Sequence, residues 1–249
     1  MIDLHCHILP GVDDGAGSLE EAAAMCRLAA RDGCTAMVAT PHQRRGEWWN
    51  CDRQRLSALT RRLQAEVGRE IQIFLGAEVH VDAQLLDDVE RLPGHGGILG
   101  LAGSRYLLIE FPPFGSPPAA EDLVHELVVA GWRPVVAHPE LIPWLAADLD
   151  AVAQLIALGA STQVTAMSVT GDFGKRAQQQ VWALLDAGLV HFLASDAHGI
   201  QRRPPGLRAA ADAVAQRLGP EAARQLVADH PRAVLEDRPL PEILAARAV

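Results

Sequence analysis

Apolar and polar positions follow two alternating rhythms along this chain. Short apolar runs at 2–6, 35–40 (TAMVAT), 71–75, 106–111 (YLLIEF), 134–137, 161–166 and 189–195 have the length and composition of buried strands. Between them lie stretches with apolar residues three and four apart. The clearest begins at Ser18, where Ser18 and Glu21 have capping-box spacing and Leu19, Ala22, Ala23, Cys26, Ala29 and Ala30 form one stripe closed by Gly33. Further helices are predicted at 53–67, with Leu56, Leu59, Leu63 and Val67 on one face, and at 83–91, 119–130, 149–158 and 174–187. The chain is helical from about residue 206, with interruptions at Gly219-Pro220 and His230-Pro231. Strands alternating with helices imply parallel strands joined by crossover helices. About seven such units predict an α/β fold of the distorted parallel barrel type. The Pro-rich loop at 112–118 is too short to separate domains, so residues 1–249 are expected to form one domain.

Composition narrows the function. The formal net charge of −9 argues against a nucleic-acid backbone as partner. No apolar run approaches the roughly 18 residues of a membrane span. The four cysteines, Cys6, Cys26, Cys34 and Cys51, form no C-x-x-C pair. With no leader ahead of Met1, they are expected to be reduced thiols in a cytoplasmic protein, with Cys26 and Cys34 in or near the core.

The polar residues at the strand ends carry the chemistry. Residues two apart on a strand point the same way, so His5 and His7 should project together while Leu4 and Cys6 face away. Asp13 and Asp14 follow on a turn flanked by glycines. His42, Glu78, Glu110, His138, Asp196 and His198 also fall at or just past strand ends. In a parallel barrel these ends gather on the face where active sites are built. Imidazole and carboxylate together suit zinc, manganese or iron. Glu110 sits in an otherwise apolar strand, where an unpaired carboxylate is costly, so a metal or arginine partner is expected. His80 fits either beside the site or in plain packing. His95, His125, His191 and His230 read as structural or exposed. Trp48 and Trp49, near Arg44, Arg45 and Arg53, either form an aromatic, basic rim or pack a loop onto the barrel.

The segments H-C-H-I-L-P-G-V-D-D-G, A-T-P-H, G-A-E, L-L-I-E-F, A-H-P-E and S-D-A-H, in this order from residue 1 to about 206, resemble the PHP (polymerase and histidinol phosphatase) superfamily. Within it the chain is most similar to the bacterial manganese-dependent tyrosine-protein phosphatases of the capsular and exopolysaccharide type. The resemblance implies a distorted β/α barrel with three divalent ions, manganese first, with iron or zinc as alternatives. His5, His7, Glu78 and Asp196 would hold the first ion. Glu78 would bridge to the second, completed by Glu110 and His138. Asp14, His42 and His198 would hold the third. Arg203, with Arg202 beside it, would bind the substrate phosphate, and Arg203, His42 and His198 would act on it. The family's second phosphate-binding arginine follows H-P-E; here that position is Leu141.

The resemblance implies hydrolysis of phosphotyrosine on a protein, expected to be a bacterial tyrosine autokinase of polysaccharide biosynthesis, by a hydroxide bridging two ions. Three divalent ions against Asp14, Glu78, Glu110 and Asp196 leave a net positive site suited to a phosphate dianion. No Cys-x5-Arg phosphate loop is present, so no cysteine nucleophile is expected. The residues alone do not select tyrosine phosphate. A phosphoesterase for a small metabolite such as histidinol phosphate is the alternative, and a metal-binding protein without catalysis is a third reading. The sequence sets no oligomeric state.

Overall fold

The computed structural model describes residues 1–82, 84–91, 97–113 and 120–241. The predicted turn after Pro93 with His95, the Pro-rich loop from residue 114 on and the chain beyond 241 lie outside the described residues. The elements run β1 (Ile2–Cys6), α1 (Leu19–Asp32), β2 (Ala36–Ala39), β3 (His42–Gln43), α2 (Arg53–Val67), β4 (Gln72–Leu75), β5 (Glu78–His80), α3 (Leu85–Arg91), β6 (Tyr106–Glu110), α4 (Ala120–Val129) and β7 (Arg133–Ala137). They continue with α5 (Pro143–Ala146), α6 (Leu149–Ala157), β8 (Ser161–Thr165), α7 (Ala166–Thr170), α8 (Lys175–Asp186), β9 (Phe192–Ala194), α9 (Arg208–Leu218), α10 (Pro220–Arg224) and α11 (His230–Leu235).

All strand pairs are parallel, in the orders β1-β2-β4 and β3-β5-β6-β7-β8-β9. Two predicted strands, ending at Thr40 and Leu75, resume one turn later as β3 and β5. Pro41 has no N–H to give a ladder, which accounts for the break between β2 and β3. Counting each broken run once, seven strands circle in chain order among the described residues, as expected for a distorted β/α barrel. The ring closes beyond β9: Asp196 N donates to the His5 carbonyl at 2.8 Å, and His7 N to the Ala197 carbonyl at 2.8 Å. Lower on the same seam Asp3, buried, accepts from Ser195 N (3.0 Å) and Ser195 Oγ (2.5 Å). Burial raises its carboxyl above the ordinary range, and the Ser195 bonds work the other way.

Two apolar layers hold this ring. A small inner cluster joins Ile2, Leu4, Val38, Tyr106, Leu108, Val135 and Phe192, with Val234 from α11 packed into it. A larger outer cluster packs Cys6, Met37, Ile109, Val136, Val164 and Leu193 against the helices. Leu4 and Cys6 therefore do not share a face, contrary to the alternation expected of β1. The register of β1 on β2 shifts between Asp3 and Cys6, and this irregularity lets Leu4 line the floor while His5 and His7 point into the mouth above it. Helix α1 begins as its sequence predicts: Ser18 Oγ accepts from Glu21 N at 3.2 Å. Glu21 does not complete the box, and its carboxylate accepts from Gly17 N instead. Gly33 ends the helix with φ of 102°, a conformation that disfavours side chains. No helix among the described residues is long and apolar enough to cross a membrane.

Candidate metal centre

The strand ends deliver their polar residues to one place. His5 Nε2 lies 3.2 Å from His7 Nε2, 3.4 Å from Glu78 Oε2 and 3.3 Å from Asp196 Oδ1. His42 Nδ1 lies 2.9 Å from Glu78 Oε2, and His138 Nε2 2.9 Å from Glu78 Oε1. Asp14 Oδ1 stands 3.3 Å from both His42 Nε2 and His198 Nε2. Two of these residues leave their strands in the left-handed region, His138 (φ 34°) and Asp196 (φ 51°). Such a backbone costs a non-glycine residue about 1 kcal/mol or more and persists where the surroundings fix it.

Three overlapping sets of donor atoms each lie within 4.8 Å: His5, His7 and Asp196; His42, Glu78 and Glu110; and His7, Asp14, His42 and His198. These sets differ from the expected ligand sets in three respects. His7 belongs to two of them, His42 rather than His138 gathers with Glu110, and Glu78 is not in the set of His5, His7 and Asp196. His138 instead spends its Nε2 on Glu78, while Arg45 fills the gap on the Glu110 side, with Nη1 2.9 Å from His42 Nε2 and 3.3 Å from Glu110 Oε1.

The donor set fits divalent cations by its tautomers. His7 Nδ1 donates to Asp13 Oδ2 at 2.8 Å, His5 Nδ1 to Gln163 Oε1 at 2.7 Å, and His198 Nδ1 to the Asp196 carbonyl at 2.9 Å. When deprotonated, each ring so held would turn its Nε2 lone pair toward the shared space, the arrangement that metal-bound imidazoles need. No thiolate takes part: Cys6 Sγ donates to the Val38 carbonyl in the outer layer, and burial raises its thiol.

The charges of the centre pair with one another. Burial alone would raise the Glu78 carboxyl, but the His5 charge and bonds from His138, His42 and His5 hold it well below the carboxylate range. Asp196 is likewise depressed against the effect of burial, by His5, His7 and Arg203. Burial would lower His138, yet the bond and charge of Glu78 lift it to about 9. For His198 burial and the neighbouring His7 win, and its basicity falls.

Arg203 bonds through Nη2 to Asp196 Oδ2 and lies 5.6 Å over the Phe173 ring. Arg202 is exposed, with no ion pair among the described residues. Leu141 ends a short 3-10 turn, Pro139–Leu141, directly after His138. His80 Nδ1 is 3.5 Å from Glu110 Oε2, at the edge of the centre. His125 is exposed, while His191 and His230 are buried away from it, with His230 Nδ1 donating to the His191 carbonyl.

Sequence reasoning left several of the supporting residues unassigned. Asp13 accepts from His7 Nδ1, from His42 N (2.9 Å) and from Gly15 N (3.0 Å). Glu140, buried, accepts from Thr165 N and Ser168 Oγ at 2.8 Å each and so ties the turn after β7 to β8. A usable signal for Gln163 exists: β8 reads S-T-Q-V-T and every residue in it is buried, so its polar side chains require internal partners.

Known proteins carry the same chain pattern. The family model for capsular polysaccharide synthesis proteins CpsB/CapC matches residues 1–236. The tyrosine-protein phosphatase YwqE of Bacillus subtilis is 36% identical over 206 residues, 82% of this chain and 79% of that protein. The tyrosine-protein phosphatase CpsB of Streptococcus pneumoniae is 31% identical over 245 residues, 96% of this chain and 99% of its own. A solved structure from a crystallographic study of YwqE and CpsB, described as unique metal-dependent tyrosine phosphatases, superposes with a TM-score of 0.89 at 32% identity, covering 100% of this chain and 99% of that one. With donors for metal at the mouth of the same barrel and a match over nearly its whole length, the chain belongs to the CpsB/CapC family of capsular polysaccharide synthesis.

Proposed function

We propose that this chain is a metal-dependent protein-tyrosine phosphatase of capsule or exopolysaccharide synthesis, working as one domain on a phosphotyrosine-bearing bacterial tyrosine kinase. One observation carries the reading. Donor atoms from five strand ends converge in three overlapping sets, with the Arg203 guanidinium against their edge.

Three divalent ions, manganese first, fit these sets. His5, His7, Glu78 and Asp196 would hold one. Glu78 and Glu110, with His42 and His138 at their flanks, would hold a second. Asp14, His42 and His198 would hold the third. When bound, the ions supply a water activated near neutral pH and neutralise phosphoryl oxygens. The chain's own residues do the positioning. Asp13, Gln163 and the Asp196 carbonyl keep three imidazoles in the tautomer that presents Nε2. Arg203 can leave Asp196, whose charge an ion then balances, and fork onto the phosphate. The leaving phenolate has a conjugate-acid pKa of about 10, so departure demands little proton donation.

The chain's single tyrosine, Tyr106, is buried and donates its hydroxyl to the Arg238 carbonyl at 2.6 Å. The folded chain thus offers no tyrosine to itself, and the substrate comes from another protein. Manganese-loaded protein is expected to release phosphate from p-nitrophenyl phosphate and a phosphotyrosine peptide, with loss of turnover in EDTA and in His5→Ala. Clear preference for histidinol phosphate over phosphotyrosine would replace the substrate assignment. Bound metal with no phosphoester turnover would refute the enzyme.

A further inference from the structure

Arg45 belongs to a hairpin whose other parts are fixed. Arg45 N donates to the Trp48 carbonyl (3.3 Å) and Trp48 N to the Arg45 carbonyl (2.8 Å). Trp48 stacks on the His42 ring, with centroids 5.2 Å apart and planes 10° from parallel. Arg44 is buried and grips Asp82 through Nη2 at 2.9 Å from both oxygens. Asn50 Nδ2 donates to the Val12 and His42 carbonyls at 2.9 Å each. This leaves the Arg45 side chain, 37% exposed, suspended over the donor cluster from a rigid base.

Its guanidinium touches the cluster on the β3 and β6 side, at His42 and Glu110. Arg203 touches it at Asp196, just past β9. In the ring of seven strands β6 stands three strands from β9 and β3 stands two, counted through β1, so the two guanidiniums come from different parts of the mouth. Among the described residues these are the arginines whose ion pairs reach the donor cluster. The turn after β7 brings Leu141, which carries no charge.

We propose that Arg45 is a second phosphate-binding guanidinium, closing on the phosphate dianion from a part of the mouth that Arg203 does not reach. The inference rests on the phosphatase reading above. Glu110 and His42 hold the guanidinium while no ion is bound. With those two residues holding a divalent ion, the guanidinium would be released, and the anchored hairpin would keep it at the mouth. There its planar donors match the oxygens of a phosphate.

The test is calorimetric binding of inorganic phosphate to manganese-loaded wild type, Arg45→Gln and Arg45→Lys, with metal content measured on each. Losing one charge-assisted pair is expected to weaken phosphate binding roughly 10- to 100-fold in Arg45→Gln at unchanged metal content, with partial recovery in Arg45→Lys. Wild-type phosphate affinity in Arg45→Gln overturns the proposal, as does a loss of metal that accounts for the change, or a wild type that binds no phosphate. Phosphate binding that depends on Arg45 in a protein that hydrolyses no phosphotyrosine leaves this inference standing and refutes the enzymatic reading instead.

Discussion

Asp13→Asn is the most exposing change to make in this centre, because it removes a charge without removing volume. Asp13 Oδ2 serves two donors, His7 Nδ1 at 2.8 Å and His42 N at 2.9 Å, and Oδ1 serves Gly15 N at 3.0 Å. An asparagine has one acceptor oxygen. If that oxygen faces His7 and His42, its NH2 group meets the Gly15 N–H; if it faces Gly15, the NH2 meets two donors. Either way one donor is left facing a donor, and the imidazole loses a charged partner. A bond to a charged group contributes about 1.5–3 kcal/mol, and loss of such an outer partner typically weakens metal binding about 10- to 100-fold. Burial opposes ionisation of Asp13, but the bond and charge of His7 keep its carboxyl below the ordinary range, so the lost charge is present at neutral pH. The measurement is manganese affinity by competition with a chelator of known strength, with far-UV circular dichroism to confirm folding. Asp13→Asn is expected to stay folded and bind manganese at least tenfold more weakly. Wild-type affinity would show that Asp13 does not orient His7 in the loaded protein and that its bond to Nδ1 does not set the ring's tautomer.

Three further outcomes rest on the same geometry. In the metal-free protein His138 is raised to about 9, burial acting against it and Glu78 for it, so metal must displace a proton at pH 7. Manganese uptake should release protons, seen as a calorimetric heat that varies with buffer ionisation enthalpy, and affinity should climb between pH 6.5 and 9; a heat independent of buffer refutes this. The raised value also means that the His138–Glu78 pair stabilises the metal-free protein fully below about pH 6.5 and ceases to as pH rises past about 9, a contribution of about 3 kcal/mol. The metal-free melting temperature should therefore fall across that window while that of the loaded protein holds. Gly15→Ala would place a Cβ 2.1 Å from the His7 carbonyl and 2.5 Å from its Cβ. It is expected to cost about 1–3 kcal/mol in urea unfolding and to weaken manganese binding, and an unperturbed variant would show that the turn can yield.

The elements with their own local signal were legible in the sequence. Helix α2 and strand β1 have the predicted bounds, because an uninterrupted stripe and an apolar run need no distant partner to define them. What local pattern could not supply was interruption and register. Strands β3 and β5 are two and three residues long, below any periodicity, and exist because their neighbours in the ring offer hydrogen-bonding edges. The shift inside β1 that separates Leu4 from Cys6 is set by pairing with β2. The same division runs through the centre. Its donors stood out because imidazoles and carboxylates at strand ends are conspicuous in an apolar barrel. Asp3, Gln163 and Glu140 did not, because each acts by accepting a bond from a residue that only the fold brings near, and for the same reason Asp13 stood out without its role.

The placement of arginine follows from charge. Glu78, Glu110 and Asp196 are buried together at the barrel mouth, and burying carboxylates side by side is costly unless cations balance them. In the metal-free chain that balance comes from three sources: imidazoles made more basic by their carboxylate partners, Arg203 on Asp196, and Arg45 on Glu110. On the proposed reading, carboxylates and imidazoles that hold divalent ions would give up their protons and release the two guanidiniums. Tethered at the mouth, the guanidiniums would then be open to a phosphate dianion that pairs with both at once. The chemistry that assembles the metal centre would thereby also free both guanidiniums for the substrate phosphate, and Arg45 would supply there the charge that Leu141 does not.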